Sequence, residues 1–164
     1  MKWLTDLTVQ EQEAQGYYME TAYRYPSEPV LPGVHPKPGD QTRMRPVDAM
    51  VVKSVIIQPH HDMAVSRGVV VIEGVAWTGE GRIAKVDVST DAGRTWHDAE
   101  LLGEDVLYAW RQWRFLWQAT ESGPCTILSR ARDDQGHIQP PTSPWNPGGF
   151  LWNGMDRVHV RVAG

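Results

Sequence analysis

The chain has 164 residues, 41% hydrophobic and 22% charged, which suits one globular domain with a short appendage and leaves no room for two full domains. A net charge of −4 and a pI near 5.8 argue against nucleic acid as a partner, because phosphate neutralisation needs a basic surface. No apolar stretch approaches the ~18 residues that span a bilayer, so no membrane role is expected, and a single cysteine, Cys125, excludes an intrachain disulfide and a multi-thiolate metal site.

The first residues, MKWLTDLTVQEQEAQGYY, lack the uninterrupted apolar core of a signal peptide, so an export signal is not expected in this chain. Trp3, Thr5, Leu7 and Val9 alternate with Lys2, Leu4, Asp6 and Thr8 and predict a strand from Trp3 to Val9. The rest of residues 1–25 is too polar to bury that strand, which therefore needs a sheet edge supplied from elsewhere. Pro26, Pro29, Pro32, Pro36, Pro38 and Pro46 are half of the 12 prolines. Their fixed φ and missing donors exclude helix and central strand and predict an extended linker or strap. The chain accordingly divides into an appended segment (1–25), a Pro-rich linker (26–48) and a domain (49–164).

Beyond that boundary short apolar runs recur at regular intervals. Strands are predicted over Met50 to Ile57, Gly68 to Trp77, Ile83 to Ser89, Thr95 to Leu102, Ala109 to Ala119, Cys125 to Asp133 and Arg157 to Val162. The Asp91-Ala92-Gly93 turn joins the third and fourth as a hairpin. No window has sustained helical periodicity. About seven short strands with turn signals every ~8–14 residues indicate an all-β fold, an immunoglobulin-like antiparallel β-sandwich.

Eight tryptophans against two phenylalanines make large rings the organisers of this fold. Trp113, Phe115 and Trp117 share one strand face, and with Trp96 they are expected to fill the space between sheets. Trp110 shares the other face with Gln112 and Arg114. Flanked by Arg111 and Arg114, it suits an interface, where aromatic rings and guanidinium groups anchor well. Cys125 is expected to be a small buried apolar residue rather than a metal ligand. His60-His61 is expected to be a solvated pair between two strands, since adjacent side chains point apart. Asp133-Asp134 with Gly136 lacks the oxygen spacing of a calcium loop and is expected to be a turn.

Four strings in order, DVSTDAGRTWHDAEL, AWRQW, SRARDDQGHIQPPTSPWNPGGFLWN and RVHVRV, resemble the C-terminal dimerisation domain of the sulfite oxidase family of molybdenum enzymes. The upstream KWLTDLTV and YYMETAYRYP resemble the end of that family's catalytic domain. The resemblance implies that residues 1–25 are the tail of a molybdopterin-binding domain lying before this chain, which therefore carries no cofactor, metal ligand or catalytic residue of its own. It implies a homodimer with Trp110, Arg111 and Arg114 at its interface, a haem c electron acceptor and a periplasmic setting. It also implies that Trp145, Asn146, Gly148 and Gly149 belong to a loop directed at the substrate pocket. Vertebrate and plant sulfite oxidases carry an arginine where this chain has Gly148, and the stretch RYPSEPVLPGVHPKPGD leans toward the bacterial sulfane dehydrogenase type. The alternative is an immunoglobulin-like binding module for carbohydrate or protein, or a chain that supplies the sandwich in trans.

Overall fold

The structure, a computed structural model, describes residues 3–12, 14–35 and 43–164. Two compact units divide the chain: Met1–Asp48 with Trp145–Phe150, and Ala49–Pro144 with Leu151–Gly164.

In the smaller unit, residues 3–9 form no strand and lie exposed. Alternation was present, but a ladder needs a partner and none lies within the described part of the unit. A five-residue π-helical turn, Tyr18–Ala22, is the only helix among the described residues. Strands β1 (Arg24–Pro26) and β2 (Met44–Pro46) pair antiparallel, Tyr25 opposite Arg45. The two prolines end a two-stranded ribbon, where a missing N–H donor is tolerated. Pro36 and Pro38 of the linker lie outside the described residues.

The larger unit contains β3 (Lys53–Gln58), β4 (Met63–Val65), β5 (Gly68–Trp77), β6 (Ile83–Ser89), β7 (His97–Asp98), β8 (Glu100–Leu102), β9 (Arg111–Ala119), β10 (Gly123–Asp133) and β11 (Asp156–Val162). Sheet order is β3-β5-β9-β8 in one layer and β4-β11-β10-β6-β7 in the other. With 42% of residues in strands and 5% in helix, this is the immunoglobulin-like sandwich that the spacing predicted. It has nine strands rather than seven because two connected stretches change sheets. After β3, the chain passes buried Pro59 and β4 pairs parallel to β11 in the opposite sheet. The stretch expected as one strand over Thr95 to Leu102 also divides, β7 pairing with β6 and β8 with β9.

Inward positions of β5, β6, β9, β10 and β11 form the core, among them Ile72, Val86, Val88, Trp113, Ile127 and Val160. Trp113 fits because residue 74 has no side chain: a Cβ on Gly74 would lie 2.3 Å from the indole Cζ2 and 2.1 Å from Val55 O. Trp117 and Phe115 pack against this core from its edge. Among the polar residues wholly inside, Gln139 makes the most connections across the sheets. Gln139 accepts from Ser54 N at 2.8 Å and Ala131 N at 3.1 Å, and donates to Ser54 O at 3.2 Å and Gly154 O at 3.0 Å. Its buried amide is thereby satisfied at both ends, and because Ser54 lies on β3 and Ala131 on β10, it pins the two sheets together.

Candidate functional site

The outward positions of β9 follow the pleat. Gln112, Leu116 and Gln118 are exposed, Arg114 is half-buried, and the alternate positions Trp113 and Ala119 are buried. Trp110, one residue before the strand, is exposed and in phase with the outward set. Arg114 donates to Glu100 Oε2 at 2.9 Å and lies opposite Glu73 on β5. Arg111 is in phase with Trp113 instead, so it does not share a face with Trp110 and Arg114. Its Nη1 lies 3.9 Å from Asp105 Oδ1, and Arg82 Nη1 lies 3.3 Å from the same oxygen and donates to Asp105 O. Arg111 thus helps hold the β8–β9 connection.

Residues 140–155 form the long connection before β11. In the larger unit its two limbs are clipped together: Ser143 Oγ accepts from Asn153 N and Gly154 N at 2.6 Å each, and Asn153 Nδ2 donates to Val52 O at 3.2 Å. In the smaller unit the Trp145–Phe150 segment closes on itself. Asn146 Nδ2 donates to Phe150 O at 2.7 Å, and Phe150 N donates to Asn146 Oδ1 at 2.9 Å. Gly149 takes φ +65°, which favours glycine. The Phe150 ring covers Gly148 so closely that a Cβ there would sit 2.4 Å from Cε2. Tyr23 meets Phe150 edge-on at 5.8 Å, and His35 meets Trp145 edge-on at 6.0 Å. The expected loop residues Trp145, Asn146, Gly148 and Gly149 are therefore brought together. The anchors Gln139, Ser143 and Asn153 were not legible, because nothing in a local pattern marks a polar side chain whose partners lie up to 101 residues away.

Comparison with known proteins bears on what this scaffold is. Residues 44–163, every strand of the sandwich included, match the family model described as the Mo-co oxidoreductase dimerisation domain. The chain belongs to that family. Its relatives include the mitochondrial sulfite oxidase of Rattus norvegicus, 35% identical over 99% of this chain and 30% of that protein. The sulfite oxidase of Arabidopsis thaliana is 30% identical over 99% of this chain and 43% of that protein. Among solved structures, the sulfane dehydrogenase SoxCD from Paracoccus pantotrophus superposes with a TM-score of 0.70 at 26% identity, over 88% of this chain and 36% of that one. The chain thus spans less than half the length of these relatives, and it corresponds to the dimerisation part of molybdenum oxidoreductases.

A family of molybdenum enzymes implies a molybdopterin cofactor in its catalytic domain, and the residues of this dimerisation domain do not fit one. Cys125 is half-buried, its Sγ donates to Thr90 O at 2.9 Å, and burial pushes its thiol pKa up, away from the thiolate that a soft metal takes. Among the described residues no group of three or more His, Cys, Asp or Glu is placed to hold a metal ion. His61 and His159 meet edge-on at 5.1 Å, a contact across 98 residues that the sequence did not show. Asp133 and Asp134 make a turn. Buried Asp133 accepts from Thr78 Oγ1 at 3.0 Å and His137 N at 2.8 Å, and its hydrogen bond to the His137 ring raises that histidine's pKa.

The expectation for Trp96 requires correction. It lies outside the core, half-buried, with the Arg130 guanidinium 4.2 Å over its ring. Arg130 also donates to Asp87 Oδ2 at 2.9 Å, and Lys85 reaches Asp87 and Asp98 at 2.9 and 2.8 Å. A tight turn after β6 aims Trp96 outward. Asp91 carries that turn by accepting from Arg94 N, Thr95 N, Thr95 Oγ1 and Ser89 Oγ. Donation from Thr95, hydroxyl first and backbone second, holds the Asp91 carboxyl far below the usual carboxylate range.

Proposed function

We propose that the chain is the C-terminal dimerisation part of a homodimeric, molybdopterin-dependent oxidoreductase of the sulfane dehydrogenase type, working on a sulfur compound in the periplasm. Residues 1–25 are then the tail of the cofactor-binding domain, 26–48 the linker and 49–164 the dimerisation domain. The observation that carries this reading is the family match over the whole sandwich, and the superposition with SoxCD supports the sulfane type. The complete enzyme transfers an oxygen atom from water to sulfur and releases two protons and two electrons, the electrons passing to a haem c protein. In this chain, the contribution to that reaction is assembly and the shape of one loop.

The loop supports a sulfur substrate other than a small oxyanion. Gly148 offers no guanidinium fork, and the Phe150 ring occupies the space where a side chain would start. The test uses the whole enzyme, with molybdenum measured per protomer and sulfite compared with a protein-bound persulfide as electron donors to cytochrome c. Bound molybdenum and preference for the persulfide are expected. Absence of molybdenum and of turnover with either donor would overturn the reading. Gly148→Arg, with Phe150 displaced, is expected to tighten sulfite binding about 10–150-fold, and an unchanged sulfite KM would show that this loop does not set the substrate.

A further inference from the structure

We infer that the outer face of the five-stranded sheet docks a protein partner through an acidic patch of limited extent on that partner. This goes beyond the reading of the whole enzyme and does not rest on it. Ladder register defines the face: Leu128 lies opposite Arg157, Thr126 opposite His159 and Pro124 opposite Arg161, while Arg130 lies opposite Asp87 and Arg132 opposite Lys85. Asp98 on β7, opposite Asp87, shares it. These outward strand positions therefore carry five cations, Lys85, Arg130, Arg132, Arg157 and Arg161, against two carboxylates, Asp87 and Asp98. The chain as a whole is −4, so the face has the opposite sign to the molecule that bears it.

Both carboxylates are already taken. Arg130 donates to Asp87, and Lys85 reaches Asp87 and Asp98. The side chains of Arg132, Arg157 and Arg161 are exposed and make no hydrogen bond or ion pair among the described residues. Arg132 also lies directly opposite Lys85, and like charges across a ladder destabilise it. A solvated surface ordinarily mixes both signs, and a single-sign field is the arrangement that steers a charged partner.

The extent and chemistry of the stripe select the partner. From Arg161 along β11 to Arg157, and on through β10 to Arg132, is roughly 27 Å at the rise of an antiparallel strand. Guanidinium forks match carboxylates in geometry as well as charge. At the stripe's flank the Arg130 guanidinium lies 4.2 Å over the half-buried Trp96 ring, and Trp and Arg are the residue types that anchor interfaces. A membrane surface or a nucleic-acid duplex is an extended array of negative charge, which the acidic remainder of this chain repels. A folded protein presents carboxylates in a bounded patch, and with a Debye length of about 8 Å such a patch feels the stripe more than the remainder.

The experiment is titration of the full chain with fluorescein-labelled poly-L-glutamate at low ionic strength. Three proteins are compared: the parent, the double variant Arg157→Gln with Arg161→Gln, and a control of equal charge change, Arg43→Gln with Arg45→Gln. The parent is expected to bind and to release the polypeptide at ~0.5 M salt. The β11 variant is expected to raise the dissociation constant about 10-fold and the control less than about threefold. A parent that does not bind, or a β11 variant that loses no more than the control, would overturn the proposal. Vesicles containing about one-third phosphatidylserine, and duplex DNA, are expected to bind more weakly than the polypeptide; equal or tighter binding of either overturns the assignment to a protein. Should the β11 variant misfold, amide chemical shifts of the parent supply the location. The largest changes on adding poly-L-glutamate are expected on β10 and β11, and largest changes on the four-stranded sheet or the β1–β2 ribbon would overturn it.

Discussion

The two outer faces of the sandwich share one core and differ in how they meet water. On the five-stranded sheet, Arg130 lies between Asp87 and the Trp96 ring, and Lys85 between Asp87 and Asp98, while Arg157, His159 and Arg161 alternate along β11 with buried valines. On the four-stranded sheet, Val69, Val71 and Leu116 are exposed together and the ionic row is confined to its middle. A face whose outward positions are charged is at home in water, and exposed apolar surface is not. The difference is therefore one of side-chain chemistry, charged positions on one face and exposed valines and a leucine beside a short ionic row on the other.

The comparison breaks first at what both faces share. Trp113→Ala removes the largest buried side chain and is expected to destabilise the domain by about 4 kcal/mol, measured by urea denaturation, with the two faces lost in one transition. A partial transition that spares one sheet would show that the core is not common to both. Gln139→Ala is expected to cost about 3 kcal/mol, because Ser54 N, Ala131 N and two carbonyls are left buried without their partner. A loss under 1 kcal/mol would mean that the sheets need no pin. Asp91→Ala, which unmakes the turn behind Trp96, is expected to cost about 2 kcal/mol at neutral pH. Because the folded carboxyl titrates far below its usual value, the parent keeps that stabilisation at neutral pH and loses it as the pH falls from the ordinary carboxylate range toward the folded value. The difference between parent and variant is thus expected to shrink in acid.

Smaller effects separate the faces from each other. Arg130→Ala is expected to change monomer stability by under about 1 kcal/mol, the usual scale of a partly exposed ion pair, and to leave association unchanged. The smallest effect belongs to His137. Its pKa is raised by Asp133, so the stabilisation is fully present below the ordinary histidine value and fades as the pH rises through the folded one. A His137→Ala variant should be relatively weaker at pH ~5 than at pH ~8, and denaturation midpoints at the two values test this.

Much of the sandwich was legible because side-chain alternation is a local property. Gly68–Trp77 and Ile83–Ser89 have the predicted bounds, and the placement of Trp113 inside and Trp110 outside follows from the two-residue period of a strand alone. The same rule, applied strictly, already separates Arg111 from Trp110 and Arg114. Alternation in residues 3–9 reports only that a strand can form; it was expected to need a partner edge from elsewhere, and within this chain these residues form no strand. Trp96 misled because size favours burial only where the backbone points the ring inward, and the Asp91 turn points it out.

By itself the sequence determined the all-β class and the family resemblance, since these rest on residue types and strings read in order. The tertiary structure alone decided which sheet each strand joins, that Gln139 ties β3 to β10, and that Val71 and Leu116 lie opposite each other and exposed. The physical reason is distance along the chain. A hydrogen bond between Gln139 and Ser54 crosses 85 residues and a strand pair such as Val71 and Leu116 crosses dozens, so neither leaves a periodic mark in its own neighbourhood. Both exist only once the backbone has brought the segments together.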